Sequence, residues 1–352
     1  MSRVLILEPY ASDSHLQLVR GMQRWLRFDF RLITMPPRKW KWRMRGAALY
    51  LAQVLASEKP ADVVFCSSLL SLADLLSLGP QWLREARKVV YFHENQFVYP
   101  TRLYREWDFH FAFTNLTTAL AADAVVFNSK FNRDSLLGSI PALLKKFPDF
   151  RPSGLETRIG EKSQVLPVPL DPEEFPPPQP KQGPARIIWN HRWEHDKDPE
   201  SFFAALYELL ARGLRFSVCV LGREFKDLAP LFTEARARLG PAVAHWGRAE
   251  SRAEYLRIVS TGDIVVSTAL QEFFGLAVLE AVRAGCAPLV PNRLVYPELY
   301  PSSCLYEDGT LADRLATAIA QVEELRAQDF AALARPYDWP NWVNSYTQVL
   351  KG

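Results

Sequence analysis

Cysteine is scarce in this chain, with four residues at positions 66, 219, 286 and 304, and no two lie close enough for a zinc knuckle or a CxxC redox pair. They sit in apolar runs such as Val64-Phe65-Cys66 and Val218-Cys219-Val220, where the thiol behaves as a small hydrophobe. Glycine is also sparse, 16 residues against 26 prolines, which excludes a flexible low-complexity chain. No apolar run approaches the ~20 residues of a membrane span. The first apolar run, residues 4–7, is cut by Glu8 and Pro9, too soon for a signal peptide. The expected location is therefore cytoplasmic, with no membrane partner. Charge of one sign is lacking too: 42 Lys+Arg against 39 Asp+Glu leaves +3, too little to hold nucleic acid by bulk charge alone.

What the chain does have is the composition of a packed globular protein, 48% hydrophobic and 23% charged. Its 352 residues suggest two domains. Short β-branched runs recur at residues 4–7, 30–33, 62–66, 89–92, 124–127 and 165–168. Amphipathic stretches at 14–26, 47–56 and 114–122 alternate with them. Seven prolines then crowd residues 168–184, a density that suits a stiff linker rather than a helix or central strand. The alternation restarts at 187–189, 216–221, 242–246, 264–267 and 287–290. The expected fold class is α/β: two Rossmann-like doubly wound parallel-sheet domains facing a cleft, ligands at the carboxyl ends of the strands. The expected boundaries are 1–170, a linker at 171–184, a second domain at 185–336 and a final helix, 337–352, crossing back to the first domain. Residues 1–175 carry 23 basic and 18 acidic side chains against 19 and 21 in the remainder, so an anionic macromolecule belongs with the first half.

Two clusters carry chemistry. After the run 187–189 come Arg192 and Lys197, ahead of Asp198-Pro199, a capping residue followed by proline at the first helical position. A guanidinium fork and an ammonium in a strand-to-helix loop suit a diphosphate. After residues 264–267 comes Glu272-Phe273-Phe274-Gly275 and an apolar helix holding Glu280, a carboxylate costly to bury unless something such as a ribose diol hydrogen-bonds it. The alternative for Glu280 is a core carboxylate paired with an arginine. The amides of Phe274, Gly275 and Leu276 at the helix start would face a phosphate. Asp196-Lys197-Asp198 matches a D-x-D metal motif formally, but its central lysine and the capping role of Asp198 argue against a metal.

Glu272 and Glu280, with seven residues between them, and the Arg192/Lys197 pair resemble the E-x7-E and phosphate-binding motifs of retaining GT-B glycosyltransferases of family 4. Over nearly the whole chain, PPRKWKW (36–42), YFHENQ (91–96), VFNSKFN (126–132), HRWEHDKDPESFF (191–203) and EFFGLAVLE (272–280) are similar to the tRNA-queuosine α-mannosyltransferases. That resemblance implies a GT-B fold with an acceptor domain followed by a donor domain. It further implies a GDP-mannose donor and metal-independent transfer, with retention, to queuosine at the wobble position of tRNA-Asp, by a monomer with no cofactor. Carried over, Arg192 and Lys197 would bind the diphosphate, Glu280 the ribose and Glu272 the mannose. His93 would be the histidine near the donor sugar. His191, Gly222, His245 and Phe273 to Leu276 would complete the donor site. The first loop, residues 8–15, has no glycine where relatives carry one or two, leaving the Ser12 and Ser14 hydroxyls as its contacts.

The acceptor side is expected in the first half. Lys39, Trp40, Trp42, Arg43 and Arg45 interleave cations with indoles, which suits an anticodon loop. Glu94, Asn95, Gln96 and Arg102 extend this set, with Arg105 and Trp107 beyond. Lys145, Lys146 and Arg151 make a weaker basic segment. Two other readings stand beside this one: a family-4 enzyme with another nucleotide sugar or a glycolipid or small-metabolite acceptor, and a non-catalytic RNA-binding scaffold.

Overall fold

A computed structural model describes residues 1–98, 109–223 and 229–352. Arg102, Arg105 and Trp107 lie outside the described residues. The chain divides into two compact units, Met1–Pro169 with Trp339–Gly352, and Leu170–Asp338.

The first unit is built on six parallel strands, β1 (Arg3–Glu8), β2 (Asp29–Thr34), β3 (Val63–Ser67), β4 (Arg87–Phe92), β5 (Ala124–Phe127) and β6 (Ser163–Val165), in the order β2-β1-β3-β4-β5-β6. β3 and β5 are buried throughout, as continuous β-branched runs covered on both faces should be. The last strand lies earlier than the apolar run 165–168 suggests, because Val125 to Phe127 pair with Ser163 to Val165. The basic tract starts outside a helix, as Pro36-Pro37 leads one to expect, but the helix Trp40–Leu55 begins well ahead of the amphipathic stretch 47–56, entered through Lys39 in a left-handed conformation, φ 51°.

The second unit repeats the plan with β7 (Ala185–Trp189), β8 (Phe216–Leu221), β9 (Val243–Gly247), β10 (Ile264–Val266), β11 (Ala287–Pro291) and β12 (Leu305–Tyr306), ordered β12-β11-β10-β7-β8-β9. The chain runs β7, β8, β9 outward and then returns to the other side of β7. The switch point therefore falls between β7 and β10, where doubly wound sheets bind ligands. The proline-rich stretch is ordered against this unit. Leu170 donates its amide to Tyr337 O at 2.8 Å, and Arg283 forks onto Asp338 at 3.0–3.2 Å. After Asp338 the chain rejoins the first unit, where Trp339 is buried and Tyr346 donates its hydroxyl to Pro167 O at 2.7 Å.

Candidate functional site

In the second unit the loops after β7 and β10 are stitched together at the switch point. Thr268 donates its hydroxyl to Lys197 O at 2.6 Å, and Leu270 N donates to Asp196 O at 2.8 Å. Asp198 takes the left-handed φ of 46° and accepts from Ser201 N, starting the helix Pro199–Ala211 as its sequence predicts. This geometry drives Lys197 inward. Its ammonium, only 7% of the residue being exposed, donates to Gln271 O at 2.7 Å and pairs with Asp196 at 3.1 Å and Glu272 at 3.3 Å. Arg192, by contrast, is exposed and pairs with Glu194 at 3.1 Å.

Burial opposes ionisation of both Lys197 and Glu272, but each outweighs it for the other. The Glu272 and Asp196 carboxylates raise the Lys197 pKa, while Lys197, His191 and a Gly275 amide hold Glu272 down to about 2. Glu272 also accepts from the Phe273 and Phe274 amides at 3.1 and 3.4 Å. The Phe274 and Gly275 amides, expected to face a phosphate, are therefore aimed at this carboxylate, and both phenylalanine rings are buried. Gly275, at φ 76°, caps the helix Leu276–Arg283, leaving the first-turn amides from Leu276 onward without i−4 acceptors.

Glu280 is buried on that helix, and the alternative sequence reading, a core carboxylate paired with an arginine, is the one these contacts match. Arg252 pairs with its Oε1 at 2.6 Å and Tyr255 donates its hydroxyl to its Oε2 at 2.9 Å. Tyr255 in turn accepts from Asn190 Nδ2 at 2.9 Å. Each carboxylate oxygen keeps lone-pair capacity beyond these contacts.

Around this frame several buried polar atoms have no hydrogen-bond partner: Asn190 Oδ1, His191 Nε2, Trp193 Nε1 and Gln271 Nε2. His191 bonds Val266 through its ring, and burial, then the Lys197 charge, pushes its pKa down to about 4, so the imidazole is neutral at pH 7. Gly222 sits against it at φ 153°; a Cβ there would lie 2.0 Å from His191 O and 2.7 Å from the Trp193 ring. A cavity of about 750 Å³ opens beside them, lined by Trp193, Arg223, Phe232, Arg236, Trp246 and Arg248 among others. His245 lies on β9 with Nε2 3.2 Å from Gly247 O. Asn190, Gln271, Tyr255 and Arg252 were not singled out in the sequence. The first two carried a signal, being polar residues at strand ends beside the switch point; the last two carried none.

In the first unit, His93 follows β4 and stacks on His15 with ring centroids 3.9 Å apart and planes 12° from parallel. His15, which as a sequence residue looks like a solvated one, is buried and lies 3.2 Å from Glu8 Oε2. Glu8 accepts at its other oxygen from Tyr10 N at 2.9 Å and Ser67 Oγ at 3.0 Å. Burial, then the His15 charge, holds His93 well below the ordinary histidine range, hence neutral. Glu8, His15 and His93 bring a ligand atom each within 4.8 Å of one another. The two rings are near parallel, however, so their in-plane lone pairs run side by side instead of converging as metal ligands do.

Ser12 and Ser14 lie at the start of the helix Asp13–Trp25 with hydroxyls 3.2 Å apart. Asn95 is fully buried and bonded to Asn132 and Ser135 at 2.9 Å, and Gln96 is buried with its side-chain amide on Glu94 at 3.0 Å. These two build the loop behind His93, where their side-chain amides are taken up by its internal hydrogen bonds. Arg43 folds back onto Pro36 O at 3.1 Å, whereas Lys39, Trp40, Trp42 and Arg45 line a second cavity, of about 510 Å³.

Residues 3–170 match the family described as tRNA-queuosine alpha-mannosyltransferase N-terminal, and residues 171–334 match Glycosyl transferases group 1. The chain is 40% identical over 314 residues to the Drosophila melanogaster tRNA-queuosine alpha-mannosyltransferase, covering 86% of this chain and 83% of that protein. The chain belongs to the tRNA-queuosine alpha-mannosyltransferase family. Its fold is GT-B. The Anabaena HepE in complex with UDP and glucose superposes with a TM-score of 0.71 at 11% identity over 100% of both chains. Sucrose-phosphate synthase from Thermosynechococcus elongatus gives 0.74 at 12% identity, over 100% of this chain and 98% of that one. Among the described residues no helix is long and apolar enough to cross a membrane.

Proposed function

We propose that the chain transfers mannose, with retention, from GDP-mannose to queuosine at the wobble position of tRNA-Asp, as a cytoplasmic monomer. The observation that carries the donor half is the set of unpartnered buried atoms at the β7 and β10 ends, two acceptors on Asn190 and His191 and two donors on Trp193 and Gln271. A nucleotide sugar brings hydroxyl donors and phosphate and carbonyl acceptors to satisfy both kinds. The Drosophila relative's name and the family match support the acceptor.

In this reading the guanine occupies the aromatic cavity beside Trp193 and Gly222, and the ribose diol donates to Glu280, which Tyr255 and Arg252 hold in place. Glu272, kept ionised by Lys197, accepts from mannose hydroxyls. As the bond from the anomeric carbon to the diphosphate breaks, charge grows on the leaving oxygen, and Lys197, Arg192 and the first-turn amides stabilise it. The acceptor oxygen bonds to the anomeric carbon on the face the leaving group departs from, and its proton passes to the departing phosphate. No side-chain nucleophile and no metal is required.

The test is calorimetric binding of GDP, UDP and ADP. GDP should bind tightest, and Glu280→Ala should weaken it about tenfold or more. Equal affinity for all three nucleotides would contradict the assignment of the base, and an unchanged affinity in Glu280→Ala that of the ribose.

A further inference from the structure

The helix Trp40–Leu55 carries a surface that the donor chemistry does not use. Its 16 residues include no Asp or Glu, while Lys41, Arg43 and Arg45 fall in its first two turns. Three of its large side chains also face outward, with Trp42 69% exposed, Leu49 65% and Tyr50 50%. Positions 42, 46 and 50 succeed one another at four-residue spacing, one row along the helix. Gly46 leaves that row flat, since the Trp42 indole lies 3.6 Å from where its Cβ would be. The indole thus lies along the helix towards Tyr50.

The helix start beside the row is anchored through Trp40 and Met44. Met44, Leu69 and Phe111 are buried together, with Tyr10 and Trp40 packed on them, apart from the main core. Trp40 and Phe111 lie 5.2 Å apart, with Lys41 and Arg45 over their rings, and these residues, with Lys39 and Trp42, bound the 510 Å³ cavity. The platform adjoins the β1 loop, because the Tyr10 ring stands 6.1 Å from His15, itself stacked on His93.

A helix with three cations in its first two turns and no acid complements a polyanion. Flat aromatic rings with interleaved cations are the surface on which single-stranded RNA stacks its bases and tracks its backbone. We propose that the row Trp42–Gly46–Tyr50 binds the single strand flanking the modified nucleotide, with one unstacked base in the cavity between Trp40 and Trp42. This inference rests on the tRNA reading above and extends the contact along the helix to Leu49 and Tyr50.

The test uses the full chain and an anticodon stem-loop RNA carrying 2-aminopurine beside the wobble position. Binding should quench the probe, Tyr50→Ala should weaken affinity about tenfold, and Tyr50→Phe should restore it. Circular dichroism checks that each variant is folded. Leu49→Ser with Tyr50→Ala binding as tightly as wild type would overturn the platform, as would wild-type preference for phosphatidylserine vesicles over the RNA. If the variants lose RNA while wild type passes sugar to no tRNA, the platform stands and the proposed function falls. If Tyr50→Ala binds and transfers like wild type, the function stands and the platform falls.

Discussion

At the scale of single residues, the donor edge is a problem in buried charge. Removing Lys197 would leave the Glu272 and Asp196 carboxylates without their buried cation, at a cost of about 3–5 kcal/mol, whereas without Glu272 the ammonium keeps Asp196. Glu272→Gln keeps the shape and removes the charge. It is expected to lower mannose transfer about a hundredfold or more while the circular dichroism spectrum is unchanged; near wild-type turnover would contradict its role. His191 makes a prediction that needs no substrate. Its pKa drops from 6.5 to about 4 on folding, so between those values the unfolded chain binds a proton that the folded protein refuses. Stability should therefore fall as pH is lowered through that window, by about 3 kcal/mol from this group. Urea unfolding at pH 7 and pH 4 should show a smaller loss for His191→Gln than for wild type. An equal loss would mean that His191 titrates normally.

At the scale of elements, the same site shows what a linear pattern can and cannot carry. Lys197, Glu272 and Glu280 were legible because their spacing follows from strand, loop and helix. Tyr255 and Arg252, from the helix Arg252–Ser260, converge on the Glu280 carboxylate while Asn190, after β7, bonds Tyr255, and no sequence spacing encodes such a meeting. The early helix within the basic tract was hidden for another reason: Lys39 takes a left-handed φ of 51°, which absorbs the turn after the two prolines and lets the helix begin at Trp40. His15 misleads in the same way, since its burial depends on stacking with a residue of another loop. Gly222 was legible as a residue and its necessity becomes clear in the packing. Gly222→Ala places a Cβ 2.0 Å from His191 O, so an overpacking cost of about 1–3 kcal/mol is expected, with nucleotide affinity falling in parallel. Calorimetry and thermal melting read both, and an unchanged melting temperature would show that the loop yields freely.

At the scale of the whole chain, alternation of strand and helix announced both sheets, because buried parallel strands must be apolar runs and their crossovers amphipathic. The two-residue β12 gave no recognisable run, and the run expected for β6 met the strand only at Val165. The return of the C-terminus to the first unit includes one especially close contact, beside the Tyr346–Pro167 hydrogen bond. Gly21 faces the buried Trp339, where a Cβ would stand 2.0 Å from the indole nitrogen. Gly21→Ala should therefore lower the melting temperature by several degrees, and an unaltered melt would show that Trp339 is not wedged there. The central claim is tested most directly by incubating the protein with labelled GDP-mannose and tRNA-Asp prepared with and without queuosine, and reading the nucleosides by mass spectrometry. The account predicts mannosyl-queuosine in the queuosine-bearing sample alone. Transfer to both samples, or to neither while GDP-mannose is bound, would contradict it.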